Sequence, residues 1–375
     1  MLNRFYSSKI KSYLSPGKVL VIYGPRRVGK TILVDSFLKK YRGKFYKSTG
    51  ENLQLKNVLE SNEFSKIIPF FKSYELIVID EAQRIDNIVQ GLKIIVDQIP
   101  KVKIIATGSS SFDLSNKIGE PLVGRQRILK LFPFSAIELS DNFGSSYIQE
   151  NLENLIIFGA YPEIMTAASF DEKVEFLHQI RDSYLYKDIL ELERIQNSKK
   201  MLDLLRLIAF QIGKQVSLHE LGKNLGLSKN TVERYLDLLE KSFVIINIRG
   251  YSRNLRKEIT KTSRYYFYDN GIRNAVIENF NFIKSRDDQG QLWENFLFIE
   301  RLKKQHYQKI YSNNFFWRTW NQKEIDMVEE REGRLYGFEF KYGNKRVKSP
   351  KEWLETYKNA SFETINQDNY LDFIL

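Results

Sequence analysis

Apolar residues in this chain follow two rhythms. Unbroken runs such as Val19-Leu20-Val21-Ile22 and Leu76-Ile77-Val78-Ile79, with Lys103-Ile104-Ile105-Ala106 after them, read as strands buried on both faces. Elsewhere apolar positions recur at helical spacing, as in Ile32-Leu33-Val34 followed by Phe37-Leu38. The first third of the chain therefore predicts an α/β sheet. Residues 151–195 carry helical spacing with many charges and predict a small helical bundle. Leu218 to Leu225 predicts a short helix, Gly226-Leu227-Ser228 a turn with Ser228 as N-cap, and Lys229 to Lys241 a second helix. Val232, Tyr235, Leu236 and Leu239 form its buried side, and Phe243-Val244-Ile245-Ile246 begins a strand. This is a winged-helix pattern. Near the C-terminus, Gln291 to Lys304 predicts a helix. Phe315 to Trp320, Glu324 to Val328 and Leu335 to Lys341 predict strands.

The 375 residues suggest two or three domains at about 100–200 residues each. A hydrophobic share of 42% supports ordinary cores and argues against global disorder. With no cysteine, disulfides and thiolate metal sites are excluded. His178, His219 and His306 lie far apart in sequence and lack metal-ligand spacing. The first residues lack a signal-peptide core, and no segment approaches the roughly 18 apolar residues of a membrane span. A soluble cytoplasmic protein is expected. The formal charge of +12 fits a partner that carries phosphates.

The stretch Gly24-Pro25-Arg26-Arg27-Val28-Gly29-Lys30-Thr31 is a phosphate-binding loop lying between a predicted strand and a predicted helix. Gly24 and Gly29 would let the backbone wrap a polyphosphate, with loop N–H groups and the helix N-terminus facing its charge. Lys30 would reach the β- and γ-phosphates of ATP, and the Thr31 hydroxyl would ligate Mg²⁺. Asp80 and Glu81 close the second strand, where ligands of parallel sheets bind. There Asp80 would hold Mg²⁺ and Glu81 would polarise the attacking water. Thr107-Gly108-Ser109 ends the third strand; Thr107 is either a γ-phosphate sensor or part of a simple turn. Arg125 and Arg127 either supply positive charge to the transferring phosphoryl group, in cis or across a subunit interface, or are surface residues. The role across a subunit interface leaves a homo-oligomer open.

These segments together resemble the AAA-type P-loop ATPases of bacteria and archaea, and more narrowly those followed by the domain DUF4143. The later segments Phe158-Gly159-Ala160-Tyr161-Pro162-Glu163, Tyr186-Lys187-Asp188-Ile189 and Phe267-Tyr268-Asp269-Asn270-Gly271 are similar to that second domain. So are Gly290-Gln291-Leu292-Trp293-Glu294-Asn295 and Phe338-Glu339-Phe340-Lys341. Tyr184, Tyr186, Lys187 and Asp188 either couple nucleotide state to later domains or simply pack.

On the predicted second helix of the winged-helix pattern, Lys229, Asn230, Arg234 and Lys241 share the exposed face with Glu233, Asp237 and Glu240. Arg249, Arg253, Arg256, Lys257, Lys261 and Arg264, interleaved with Tyr251, Tyr265 and Tyr266, suit contact with a nucleic-acid backbone. A winged helix can equally serve as a protein-packing module. At the C-terminus, Glu339 and Lys341 share one face of a strand, with Phe338 and Phe340 opposite. Glu294, Asp326, Glu339 and Lys341, with Glu324 as an extra acid, resemble the PD-(D/E)xK nuclease core. That resemblance implies carboxylates holding Mg²⁺ beside a phosphodiester, with Lys341 orienting or activating water.

The expected organisation is an ATPase domain over 1–139, a helical connector over 140–198, a winged helix over 199–260 and a nuclease-like α/β domain over 261–375. The expected function is Mg²⁺-dependent ATP hydrolysis coupled to nucleic-acid binding, DNA foremost, with cleavage as a further step. The alternative is an ATP-dependent switch or protein-interaction regulator with an inert C-terminal domain.

Overall fold

Continuous apolar runs form strands that need cover on both faces, and the central strands of the first sheet have it. The computed structural model describes residues 2–108, 122, 124–183, 198–252, 263–319 and 321–375. It divides into two units, Met1–Phe132 with Lys241–Phe243, and Pro133–Glu240 with Val244–Leu375.

In the first unit, β1 (Val19–Tyr23), β2 (Phe45–Thr49), β3 (Leu76–Asp80), β4 (Lys103–Gly108) and β5 (Gln126–Lys130) form a parallel sheet in the order β2-β3-β4-β1-β5. The first four residues of β1 and of β3 are buried, whereas edge strand β2 alternates between exposed and half-buried positions. On one face Val19, Val21, Ile77, Ile79 and Ile104 pack against Leu55, Leu59, Phe71, Leu92 and Ile95. The order places β4 between β1 and β3. The loop after β1, the acids ending β3 and Thr107 on β4 therefore meet at the same carboxyl end of the sheet.

The second unit begins with helices, among them Ala136–Phe143, Leu152–Phe158 and Phe170–Ile180. The helix Ser198–Phe210 follows, then β6 (Gln215–Val216) and the helices Leu218–Leu225 and Lys229–Lys241. Ser228 caps the last of these, accepting the Thr231 N–H at 3.1 Å. Next come β7 (Ile245–Gly250), β8 (Ser263–Phe267) and the helices Asn270–Ile277 and Gln289–Gln308. Strands β9 (Asn313–Arg318), β10 (Glu324–Arg331), β11 (Arg334–Phe340) and β12 (Ala360–Ile365) complete a mixed sheet ordered β12-β11-β10-β9-β7-β8-β6. This one sheet draws strands from both sides of residue 260, joined where β7 pairs with β9 in parallel through Arg249 and Gly250. Between Ile325 and Val328 the β9–β10 register slips. That bulge lets Ile325 and Val328, three apart, share one apolar cluster with Trp317, Leu335 and Trp353. Phe338 and Phe340 enter the core against Phe373, as the strand alternation predicts.

Candidate functional site

The phosphate loop leaves β1 and enters the helix Lys30–Leu38 through left-handed backbone at Arg27 (φ 59°) and Gly29 (φ 89°). The two loop glycines serve different ends. A Cβ on Gly29 would meet nothing within 4 Å, which leaves the loop face open to phosphate. A Cβ on Gly24 would lie 1.9 Å from the Leu131 carbonyl oxygen, so Gly24 is required by close passage of the chain after β5. Arg4 braces the loop from the N-terminal segment, donating to the Val28 carbonyl at 3.2 Å and to the Phe132 carbonyl at 2.5 Å.

Lys30 is 5% exposed, and its ammonium donates to the Gly24 and Pro25 carbonyls at 3.0 and 2.7 Å. Burial pushes its pKa down to about 8, against the fields of Glu81 and Asp80, which favour the charged form. Thr31 Oγ1 donates to Asp80 Oδ2 at 2.8 Å, and the Thr107 hydroxyl donates to the other oxygen of the same carboxylate. Thr107 Oγ1 also accepts the Glu81 N–H at 3.3 Å, and the Gln83 amide donates to the Glu81 carboxylate. Glu81 sits in left-handed backbone at φ 49°, which turns its side chain out of the line of β3. Thr31 Oγ1 and the Asp80 carboxylate are hard oxygen donors at one point. They fit Mg²⁺, which takes one or two protein oxygens and keeps several waters.

Arg125 departs from the expected cis role. It immediately precedes β5, whose first residue pairs with Val19 at the start of β1. Five strand residues at about 3.3 Å each separate that end of the sheet from the phosphate loop, roughly 16 Å. Arg125 pairs there with Asp97 at 3.2 Å. Arg127, one residue into β5, donates to the Ser12 and Tyr13 carbonyls at 3.1 and 3.3 Å. Neither is placed to reach a phosphoryl group on its own loop. Ser109, Tyr184, Tyr186, Lys187 and Asp188 lie outside the described residues, as do Trp320, Arg253, Arg256, Lys257 and Lys261.

In the second unit, Glu294, Asp326 and Glu324 do come together, but around Arg264. Its guanidinium lies 3.6 Å from Glu294, 3.5 Å from Asp326 and 2.7 Å from Glu324. The Tyr266 hydroxyl donates to Glu294 Oε1 at 2.6 Å, and Asp326 Oδ2 accepts the Phe340 N–H at 2.9 Å. Glu339 is bound by Lys341 at 2.6 Å, leaving its Oε2 buried without a hydrogen-bond partner. Burial and the nearby Asp326 push Glu339 up to about 7. Burial raises Glu294 well above the carboxylate range, with Asp326 adding and Arg264 opposing. Lys341 is raised as well: burial works against its charge, but Glu339, Asp326 and Glu294 outweigh it. Among the described residues no group of three or more His, Asp or Glu side chains is arranged to hold a metal ion. The expected Mg²⁺ triad of Glu294, Asp326 and Glu339 therefore does not fit the ion, because a guanidinium lies against Glu294 and Asp326 and the Lys341 ammonium holds Glu339.

The same geometry corrects the expected nucleic-acid face. Arg264, Tyr265 and Tyr266 are buried, with Tyr266 stacked on Phe298 at 4.2 Å. Tyr251 packs against Phe315 and Tyr357. Of the described wing residues Arg249 is exposed, and on the preceding helix so are Lys229, Asn230 and Arg234, beside Glu233 and Asp237. Sequence reasoning missed the Arg264 cluster, although one signal was present. Arg264 and Tyr266 lie two apart on a strand, so both reach the same helix residue, Glu294.

The recurrent segments of the second unit form a buried polar network. Asp269 Oδ2 accepts the Ala160 N–H at 2.8 Å, and Oδ1 accepts those of Gly271 and Ile272 at 2.9 and 3.3 Å. Burial pushes this carboxyl up to about 6 against those three donors. Asn270 donates to the Ile156 and Leu292 carbonyls, both at 3.0 Å, and Asn295 clamps Phe267 through both backbone groups. These side chains join the ends of three helices and one strand.

Residues 16–140 match the family model described as AAA domain. Residues 149–282 match the domain of unknown function DUF8612, and residues 289–369 match DUF4143. The segments around Phe158–Glu163 and Phe267–Gly271 thus fall within the DUF8612 match rather than DUF4143. An uncharacterized protein of Mycobacterium tuberculosis is 26% identical over 342 residues, covering 89% of this chain and 73% of that protein. One from Methanocaldococcus jannaschii is 25% identical over 379 residues, covering 95% and 82%. Among solved structures, AMPPCP-bound DnaA from Aquifex aeolicus aligns at 15% identity and a TM-score of 0.31, covering 63% of this chain and 84% of that one. No helix among the described residues is long and apolar enough to cross a membrane. The chain therefore carries an AAA-type P-loop ATPase domain, followed in order by a DUF8612 and a DUF4143 domain.

Proposed function

We propose that the chain hydrolyses ATP in its first unit and uses the nucleotide state as a switch for a partner bound by its second unit. The observation that carries this reading is the hydrogen-bonded line from Thr31 through Asp80 and Thr107 to Glu81. It joins the loop that binds phosphate to the carboxylate that would polarise water. Thr31 and Asp80 would hold Mg²⁺, which when bound would supply positive charge to the phosphates of ATP. Lys30 would leave the Gly24 and Pro25 carbonyls for the phosphates. Glu81, held by Gln83, would take the proton of the attacking water, and Thr107 would report the γ-phosphate through its bond to Asp80. Arg125 would serve only from a neighbouring copy.

The switch reading is favoured over cleavage because Arg264 occupies the centre of the acid cluster. Nucleic acid remains the partner we favour, on the winged-helix element order, the net charge of +12 and the exposed Lys229, Arg234 and Arg249. The deciding experiment is steady-state ATP hydrolysis with and without Mg²⁺, in wild type and Glu81→Gln. Magnesium-dependent turnover that Glu81→Gln loses while still binding ATP is expected. Equal turnover in the two proteins overturns the assignment.

A further inference from the structure

We infer that Arg264 is a built-in cation that locks a latent divalent-ion site, so that the C-terminal acid cluster takes no metal in the native protein. The inference deepens the switch reading of the second unit and is independent of ATP hydrolysis in the first. Three carboxylates from two elements, Glu294 on the helix Gln289–Gln308 and Glu324 and Asp326 on β10, face one guanidinium at 2.7 to 3.6 Å. Carboxylates gathered this closely repel one another unless a cation lies among them. Arg264 supplies that charge and cannot give it up, because a guanidinium keeps its proton in proteins.

The arginine is also fixed in place. It is 3% exposed, its backbone is paired with Ile248 in the β7–β8 ladder, and its guanidinium lies 4.6 Å from the centre of the Phe316 ring. Two of the acids are further committed, Glu294 to the Tyr266 hydroxyl and Asp326 to the Phe340 N–H. The register slip in β10 beside Asp326 fixes where that carboxylate emerges. An ion entering the cluster would have to displace a group that has no exit.

Removal of the guanidinium should therefore leave a cavity lined by acids that a divalent ion can fill. The test is titration of the full-length, nucleotide-free protein with Mn²⁺, followed by electron paramagnetic resonance of the free ion. Wild type should show no Mn²⁺ site that Asp326→Asn removes. Arg264→Gln should gain one site per chain, lost again in Arg264→Gln combined with Asp326→Asn, and its melting temperature should rise with Mn²⁺. Any ion held at the phosphate loop responds to Asp80→Asn instead, so the two sites are told apart. A wild-type Mn²⁺ site abolished by Asp326→Asn overturns the inference. So does a folded Arg264→Gln protein that gains no ion. Should Arg264→Gln fail to fold even with Mn²⁺, the wild-type and Asp326→Asn titrations decide the matter alone.

Discussion

Thr31 Oγ1 lies 2.8 Å from Asp80 Oδ2, which ties the first turn of the phosphate-loop helix to the end of β3 before any nucleotide arrives. Mg²⁺ would enter where these two oxygens already meet. Asp80→Asn keeps the shape but removes the charge. It should raise the Mg²⁺ concentration needed for half-maximal ATPase activity by about 10–100-fold. Magnesium titrations of the rate check this, and an unchanged midpoint would move the ion elsewhere.

Glu81 and Thr107 should separate binding from chemistry. Glu81→Gln should retain ATP binding and lower turnover by about 10²–10⁴-fold, the usual span of a general base. Thr107→Val removes the hydroxyl that bonds both Asp80 and the Glu81 N–H. It should reduce turnover less than Glu81→Gln and weaken nucleotide binding by at most about tenfold, since both lost bonds act on the nucleotide only through Asp80 and Glu81. Calorimetric affinities alongside single-turnover rates distinguish the two.

Lys30 gives the ATP site a pH signature. Its pKa is lowered to about 8 in the free protein, while bound phosphates would drive it upward. Below about pH 8 the group is charged in both states and affinity is flat. Above it, binding must take up a proton, so affinity should fall by up to about tenfold per pH unit. Calorimetry at about pH 9 in buffers of different ionisation enthalpy should register that uptake; its absence would show that Lys30 stays charged in the free loop.

Asp269 should prove to be a stability residue. Both of its oxygens accept backbone N–H groups, and an Asn would turn its NH₂ toward the Ala160 or the Gly271 N–H. Asp269→Asn should therefore cost about 1–3 kcal/mol, the penalty of a buried unpaired donor. The carboxyl is raised to about 6 by burial, so between about pH 4 and 6 the folded chain holds a proton that the unfolded chain has released. Stability should fall as pH rises through that window in wild type and lose this slope in Asp269→Asn. Urea unfolding at several pH values measures both.

The meeting of the phosphate-type loop with Asp80, Glu81 and Thr107 was legible in the sequence because its parts are local. A loop, two strand ends and a hydroxyl each carry their own pattern, and a parallel sheet brings strand ends together. The options left open for Arg125 could not be narrowed without β5 in view, because nothing in the sequence says that it precedes a parallel strand and so lies at the far end. The acid cluster was half legible. Glu294, Asp326 and Glu339, with Glu324 as an extra acid, stood out through their resemblance to a nuclease core, but Arg264, the partner of Glu294, Glu324 and Asp326, was assigned to a nucleic-acid face. Its burial depends on β8 lying beside β7 and beneath the helix of Glu294, which is a tertiary fact. The bulge beside Asp326 leaves no mark in a two-residue alternation either.

The parallel pairing of β7 with β9 has a consequence for how the chain can be divided. A fragment starting at residue 261 would retain β8 through β12 but lose β7, the strand that links β8 to β9. With β6 lost as well, both edges of β8 and one edge of β9 would then face water, each ready to pair with another chain. Such a fragment should precipitate or swap strands rather than behave as a free module. During synthesis one edge of β7 stays uncovered until β9 has emerged from the ribosome, which should couple the folding of residues 149–282 to that of residues 289–369.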